Sequence, residues 1–76
     1  MKQINTTRPM SDNAISYIWD RAEKLSKNHK NVFVYFYEDG DYNVYDALLE
    51  TSRNKNAEQL GYSLIGYYDD EDFIKA

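Results

Sequence analysis

Four oxygen-bearing residues follow the spacing of a calcium-binding loop. Such a loop takes acids or amides at its first, third and fifth positions and a glutamate at its twelfth. Here these residues are Asp39, Asp41, Asn43 and Glu50. The sixth position of the loop is normally glycine, because the chain turns sharply there, but this chain has Val44, a β-branched residue that resists a positive φ. A strand rather than a helix is predicted before the loop, so the sequence favours a hairpin over a metal site.

Residues suited to catalysis are few. His29 is the single histidine and stands at the predicted end of a helix, and the chain has no cysteine. No serine has the neighbouring residues of a nucleophile elbow. A domain of 76 residues rarely encloses a ligand pocket of several hundred Å³. The sequence therefore predicts a protein without enzymatic activity and without a cofactor.

Charge distribution is the strongest functional signal. Residues 1–37 have a net charge of +3 and residues 38–76 have a net charge of −7. Clustered like charges contribute little to folding, but they attract a basic partner and speed its encounter. The clustered carboxylates are those of Glu38, Asp39 and Asp41 and those of the run Asp69, Asp70, Glu71 and Asp72.

Two interpretations of these carboxylates stay open. Carboxylates spread over a small rigid domain imitate nucleic-acid phosphates and occupy the basic groove of a nucleic-acid-processing protein. Small inhibitors made by phages and mobile elements often act in this way, and the size, acidity and aromatic content of this chain look like theirs. The other interpretation is a solvated acidic tail that keeps the protein soluble. The sequence predicts a protein-binding domain, with inhibition of a basic nucleic-acid-binding protein as its specific form.

Tyrosines supply a second set of candidate contacts. The chain contains eight Tyr, three Phe and one Trp, and tyrosine binds a partner at a low entropic cost. Tyrosine also suits the half-exposed face of a sheet that is covered by a helix on one side only. We expect an interface, either with another protein or with a second copy of the chain, formed by Tyr35, Tyr37, Tyr42 and Tyr67.

Nucleic-acid binding is the alternative function. Basic residues alternate with Tyr17 and Trp19 in the N-terminal half, a combination found in proteins that bind single strands. Asp20 and Glu23 neutralise part of this face, and the overall charge of −4 opposes phosphate binding. The sequence thus argues against direct nucleic-acid binding. The basic residues are Lys2, Arg8, Arg21, Lys24, Lys27 and Lys30, and the binding itself would fall to Lys24, Lys27, Lys30 and Trp19.

One amphipathic helix is predicted over residues 12–28. Ser11 or Asp12 can cap its start. Apolar residues recur there every three or four positions and form one stripe. These residues are Ile15, Ile18, Ala22 and Leu25, with Trp19 on the flank. Residues 1–10 are expected to form a loose arm that ends at Pro9.

A strand and a tight turn are predicted next. Residues 31–37 are mostly β-branched or aromatic. The dipeptide Asp39-Gly40 is typical of a two-residue type I′ turn, which would pair Tyr37 with Tyr42. Side chains alternate between the two faces of a strand, so one face would meet the helix and the other would be aromatic. The expected helix-facing set is Val32, Val34 and Phe36, and the expected aromatic set is Phe33, Tyr35, Tyr37 and Tyr42.

The remaining segments complete an α+β fold. Residues 46–60 are ambiguous apart from a short helix predicted at 57–60. A third strand with a bulge at Gly66 is predicted over residues 62–68. An acidic tail is predicted over residues 69–76. The expected fold is an N-terminal helix packed on a three-stranded, mainly antiparallel sheet, in the order α-β-β-(short α)-β. A spatial strand order of 2-1-3 would make every pair antiparallel and would leave the two groups of carboxylates at opposite ends of the sheet. If the third strand ran parallel to the first, the two groups would converge.

Size and composition limit the remaining possibilities. The chain is expected to form one domain, 1–76, with ~3–5 kcal/mol of net stability. No apolar run approaches the ~18 residues of a membrane helix, and the first residues lack the apolar stretch of a secretory signal. These observations predict a cytoplasmic protein whose partner is another protein and not a membrane.

Overall fold

The computed structural model describes residues 8–76, so the first seven residues of the predicted arm lie outside the described residues. The described part of the chain has two helices and four strands. The helices are α1 (Asp12–Ser26) and α2 (Lys55–Gln59), and the strands are β1 (Asn31–Glu38), β2 (Val44–Glu50), β3 (Ser63–Asp69) and β4 (Asp72–Lys75). One sheet has the order β2-β1-β3-β4, with every neighbouring pair antiparallel. The α+β class and the helix on an antiparallel sheet are confirmed, whereas the predicted number of three strands is wrong.

Helix α1 begins at the predicted cap. The Ser11 hydroxyl accepts a hydrogen bond from the Ala14 N–H at 3.2 Å, which satisfies one of the free N–H groups of the first turn. The helix ends at Ser26, two residues earlier than predicted. The next N–H groups, those of Lys27 and Asn28, donate to carbonyls only three residues back, which tightens the last turn.

The core lies between α1 and one face of the sheet. Val32 and Val34 have no exposed area, and Ala22 of α1 is equally buried. Phe36 belongs to the same cluster, so the predicted helix-facing set is confirmed. The sequence did not identify Val44 and Tyr68, which β2 and β3 contribute to this cluster.

The β1–β2 connection is a three-residue loop and not the predicted two-residue turn. The Tyr42 N–H donates to the Asp39 carbonyl at 3.2 Å, and the Asp39 N–H donates to the Asn43 carbonyl at 3.1 Å. Tyr42 has a φ of 69°. A type I turn followed by one left-handed residue has this geometry. Tyr37 consequently lies opposite Asp46 and not opposite Tyr42.

The predicted acidic tail forms the fourth strand. Asp69 lies opposite Asp72, and Tyr68 lies opposite Phe73. The intervening turn contains Asp70, whose φ is 57°. The Phe73 ring packs edge-on against Tyr68, with ring centroids 5.2 Å apart. Edge-on packing of this ring against the sheet helps to hold the segment in place.

The short helix predicted at 57–60 is present as α2, Lys55–Gln59. It lies on the sheet face opposite α1, a face that the sequence left without a helix. The Asn54 side chain caps α2 by accepting a hydrogen bond from the Ala57 N–H at 3.0 Å. The Tyr35 hydroxyl accepts a hydrogen bond from the Asn54 N–H at 3.0 Å. Tyr35 is 0% exposed and Ala57 is 1% exposed. The connection from β2 to β3 thus crosses β1 directly above Tyr35. In residues 8–76, no helix combines the length and the apolar character needed to cross a membrane.

Candidate protein-binding surface

Helix α2 covers only part of its face of the sheet, because its five residues extend about 7.5 Å. Beyond it, Phe33 of β1 lies opposite Tyr67 of β3. Their rings stack with centroids 5.4 Å apart and an interplanar angle of 29°. Ile74 of β4 lies opposite Tyr67 and is 39% exposed. We name Phe33, Tyr67 and Ile74 the aromatic patch.

A run of four acidic residues extends from the strands of the aromatic patch through the β3–β4 turn. We name residues Asp69–Asp72 the acidic hairpin. Since residues two apart in a strand share a face, Asp69 lies on the face of Tyr67 and Asp72 lies on the face of Ile74. Asp69 and Asp72 are also directly opposite one another. The structure therefore combines an apolar surface with a concentrated negative charge.

Hydrogen bonds hold the acidic hairpin against the start of β1. The Asp70 N–H donates to the Lys30 carbonyl at 2.8 Å. The Asn31 side-chain amide donates to the Tyr68 carbonyl at 3.3 Å. Within residues 8–76 the single ion pair joins Arg53 and Glu58 at 3.1 Å, so the carboxylates of the hairpin form no direct ion pair with a cation of this part of the chain.

The second acidic group lies at the other end of β1. Asn31 pairs with Asp69, while Glu38 ends the strand at the β1–β2 loop, which separates the two groups by about 23 Å at about 3.3 Å per residue. The carboxylates of Glu38, Asp39 and Asp41 therefore do not join those of the acidic hairpin. The antiparallel arrangement of the sheet predicts this separation.

Asp39 is used inside its own loop. Its carboxylate accepts hydrogen bonds from the Asp41 N–H at 2.9 Å, the Asn43 N–H at 3.1 Å and the Tyr45 hydroxyl at 3.1 Å. The Asn43 N–H is the main cause of the lowered pKa of Asp39, because hydrogen bonds favour the charged form. The hydrogen bond from the Tyr45 hydroxyl to the Asp39 carboxylate is the main cause of the raised pKa of Tyr45. Asp39 thus shapes the loop, and a free contact role for its carboxylate has no support in this geometry.

The residues of the calcium-loop pattern do not converge. Glu50 lies six residues beyond Val44 along β2, about 20 Å from the loop. In the described part of the chain, no three acidic or histidine side chains are grouped to hold a metal ion. The hairpin interpretation agrees with this arrangement.

The four candidate tyrosines occupy different environments. Tyr35 is fully buried beneath α2, so its assignment to an exposed aromatic face is wrong. Tyr37 packs edge-on against Tyr62, with centroids 5.4 Å apart. Tyr42 is 89% exposed at the tip of the β1–β2 loop. Only Tyr67 belongs to the aromatic patch. The sequence did not predict that Ile74 lies on this face, because residues 69–76 were predicted to be an acidic tail and not to contain a strand.

A hydrogen bond between side chains links β2 to the residue before β3. The Tyr62 hydroxyl donates to the Asp46 carboxylate. This bond, together with burial, raises the pKa of Tyr62 to about 12. The ordinary pKa of tyrosine, which applies to the unfolded chain, is about 10. Because the folded state favours the protonated phenol, the bond stabilises the fold fully below pH 10, and this stabilisation is lost as the pH rises towards 12.

We expect the free energy of unfolding to fall more steeply between pH 10 and 12 in the wild type than in Tyr62→Phe. Phenylalanine keeps the ring but removes the titrating hydroxyl. Asp46→Asn removes the charged acceptor and is expected to flatten the profile in the same way. Urea unfolding followed by circular dichroism at a series of pH values measures the slope. Equal slopes in all three proteins would contradict the assignment.

Of the two aromatic residues on the basic helix, Trp19 packs against the sheet and Tyr17 is exposed. The Trp19 ring packs edge-on against Phe36 and Phe73, with centroids 5.7 and 5.2 Å away. Tyr17 is 61% exposed and lines a hollow of about 140 Å³ together with Asp20, Arg21 and Lys24. This volume is below that of an ordinary ligand site, and the Asp20 carboxylate disfavours a phosphate there.

Comparison with known proteins found no matching family model, no similar curated protein and no similar solved structure. The residues and geometry of the surface are therefore the basis for assigning a function. Among the predicted contacts, the structure brings Tyr67 together with the acidic hairpin and separates both from Tyr42 and the loop carboxylates.

Proposed function

We propose that this protein is a protein-binding domain without enzymatic activity, and that the aromatic patch and the acidic hairpin form its contact surface. The observation that carries the proposal is the position of Asp69 and Asp72 beside Tyr67 and Ile74 on one face of the sheet. Aromatic side chains provide contact area, and neighbouring charges provide orientation and rapid encounter. The partner is a protein with a basic surface.

The arrangement of Asp69 and Asp72 supports a role in binding. Like charges directly opposite one another on a sheet are destabilising. A solvated tail, the other interpretation of these residues, would not place two carboxylates in register. Proteins keep residue pairs that lower their stability mainly where a function needs them, which favours a functional role for Asp69 and Asp72.

The specific form of the proposal is inhibition of a basic nucleic-acid-binding protein. The carboxylates stand at both ends of β1, about 23 Å apart, on a sheet that keeps their spacing. A groove that accepts nucleic acid has cations along its length. The acidic hairpin and the β1–β2 loop would contact such a groove at separated points, and the aromatic patch would contact its wall.

Neutralising the hairpin is expected to weaken binding while leaving the fold as stable as before or more stable. We choose Asp69→Asn with Asp72→Asn, because the pair loses its mutual repulsion, worth roughly 0.2–1 kcal/mol. The matched control is Asp20→Asn with Glu23→Gln, which removes two charges from the exposed side of α1. Affinity capture from bacterial lysate with and without nuclease treatment, at low and high salt, measures binding, and urea unfolding measures stability.

The expected result is a protein that wild type and control retain at low salt, that the hairpin variant loses, and that added duplex DNA displaces. Equal retention by the hairpin variant would contradict the proposal. Capture that requires intact nucleic acid would instead favour the alternative function, with Lys24, Lys27 and Lys30 as the contacts.

A further inference from the structure

Strand β4 is an edge strand with unpaired backbone groups. The Ala76 N–H donates to the Ile65 carbonyl at 3.1 Å. Because backbone groups alternate in direction along an antiparallel strand, those of Phe73 and Lys75 point away from β3. Within residues 8–76 these outward groups have no hydrogen-bond partner. Phe73 and Ile74 are also 40% and 39% exposed, so this edge leaves both polar and apolar groups in water.

The opposite edge of the sheet is different. The Val44 carbonyl of β2 accepts a hydrogen bond from the Met10 N–H at 2.6 Å. The Ala47 N–H donates to the Asp46 side chain at 2.9 Å. Two of the groups that another strand would need on β2 are therefore occupied, and β4 is the edge more open to pairing.

We infer that β4 pairs antiparallel with β4 of a second copy of this chain. A two-fold axis perpendicular to the sheet keeps each face on its own side, so residues directly opposite one another must share a face. Two registers satisfy this condition and also overlap three residues of the four-residue strand. One is centred on Phe73 and the other on Ile74.

Charge selects the register centred on Phe73. This register places Lys75 of the second copy beside Glu71, the turn residue that precedes β4, and the symmetry repeats the contact, so the interface gains two opposite-charge contacts. The register centred on Ile74 places Lys75 opposite Phe73 and forms no such pair. Opposite-charge pairs across strands are stabilising, and the charge pattern of this edge is thus complementary to itself.

The resulting dimer has one continuous sheet of eight strands, with α1 of both copies on the same face. The four-residue strand limits the number of new backbone hydrogen bonds, and the charge of −4 on each chain opposes association. We therefore expect a weak, reversible dimer that forms at high protein concentration. This dimer does not depend on the proposed partner or on Asp69 and Asp72.

A charge-swap series tests the pairing. Sedimentation velocity of the whole chain from about 10 μM to about 1 mM covers the range of a weak dimer. We expect the wild-type sedimentation coefficient to rise with concentration. Lys75→Glu and Glu71→Lys each create two like-charge pairs and are expected to weaken dimerisation about tenfold or more. The double variant exchanges the charges and is expected to restore dimerisation.

Lys24→Glu is the matched control, because it makes the same change in net charge on α1, away from the edge. It is expected to dimerise nearly as well as the wild type. A wild type that stays monomeric throughout the range would overturn the inference. So would loss of dimerisation in Lys24→Glu equal to that in Lys75→Glu, or a double variant that stays monomeric.

Discussion

Replacing Gly66 with alanine is expected to reduce the free energy of unfolding by about 1–3 kcal/mol, the cost of adding a methyl group to a packed site. A Cβ at this position would lie 2.6 Å from the carbonyl oxygen of Ile74 and would overlap the Phe73 ring. The carbonyl belongs to the neighbouring strand and moves only if the β3–β4 pairing changes. The net stability of a domain of this size is roughly 3–5 kcal/mol, so the change is a large fraction of the total.

Gly40→Ala is the matched control for Gly66→Ala. No atom lies within 4 Å of a Cβ built at Gly40, and we expect its stability to equal or exceed that of the wild type. Urea unfolding of both variants measures the difference. Equal midpoints for the two variants would contradict the close contact between Gly66 and β4.

Trp19→Ala is expected to destabilise the protein by about 3 kcal/mol, at the low end for loss of a large aromatic side chain, because part of the ring remains in water. The Trp19 ring contacts both Phe36 in the centre of the sheet and Phe73 on β4. Its removal therefore weakens the attachment of α1 to two strands at once.

Tyr17→Ala provides the comparison, since Tyr17 is on the same helix but is 61% exposed. We expect its effect to stay within about 0.5 kcal/mol, as for ordinary surface substitutions. Thermal unfolding followed by circular dichroism compares the two variants. If Trp19→Ala were as stable as Tyr17→Ala, the Trp19 ring would be free of the core, and its proposed role in nucleic-acid binding would regain support.

Local patterns in the sequence were sufficient to predict much of the fold. The start of α1 follows from Ser11, and the buried face of β1 follows from the alternation of Val32, Val34 and Phe36. The short connection from the second strand to the third predicts β3 beside β1, as the sheet order has it. The irregularity near Gly66 also exists, as a register shift between Val34 and Tyr35 in the β1–β3 pairing.

The hairpin register depends on a contact that spacing does not reveal. The dipeptide Asp39-Gly40 suggested that glycine takes the left-handed conformation. The Asp39 carboxylate instead binds two N–H groups further along the loop, and Tyr42 adopts the positive φ. The residue pattern alone does not distinguish the two-residue type I′ turn from the three-residue loop. The same residues suit both, and the side-chain hydrogen bonds of Asp39 decide between them.

Tertiary contacts also decide the two elements that the sequence misplaced. Strand β4 has only two apolar residues, and its position depends on the packing of Phe73 over Gly66. The burial of Tyr35 depends on where the β2–β3 connection crosses the sheet. The proposed contact surface could therefore be predicted in its acidic part, for Tyr67 and for the place of Phe33 on the aromatic face, but not for Ile74.

The unequal edges of the sheet have a consequence for assembly. Extended sheets grow into fibrils when both edges of each molecule accept a further strand. Here Met10 and Asp46 occupy backbone groups on β2, while β4 is short and carries charge at both ends. Edge-to-edge growth from β4 therefore closes after one two-fold contact, and a concentrated solution of this protein is expected to reach a finite oligomer rather than an open polymer.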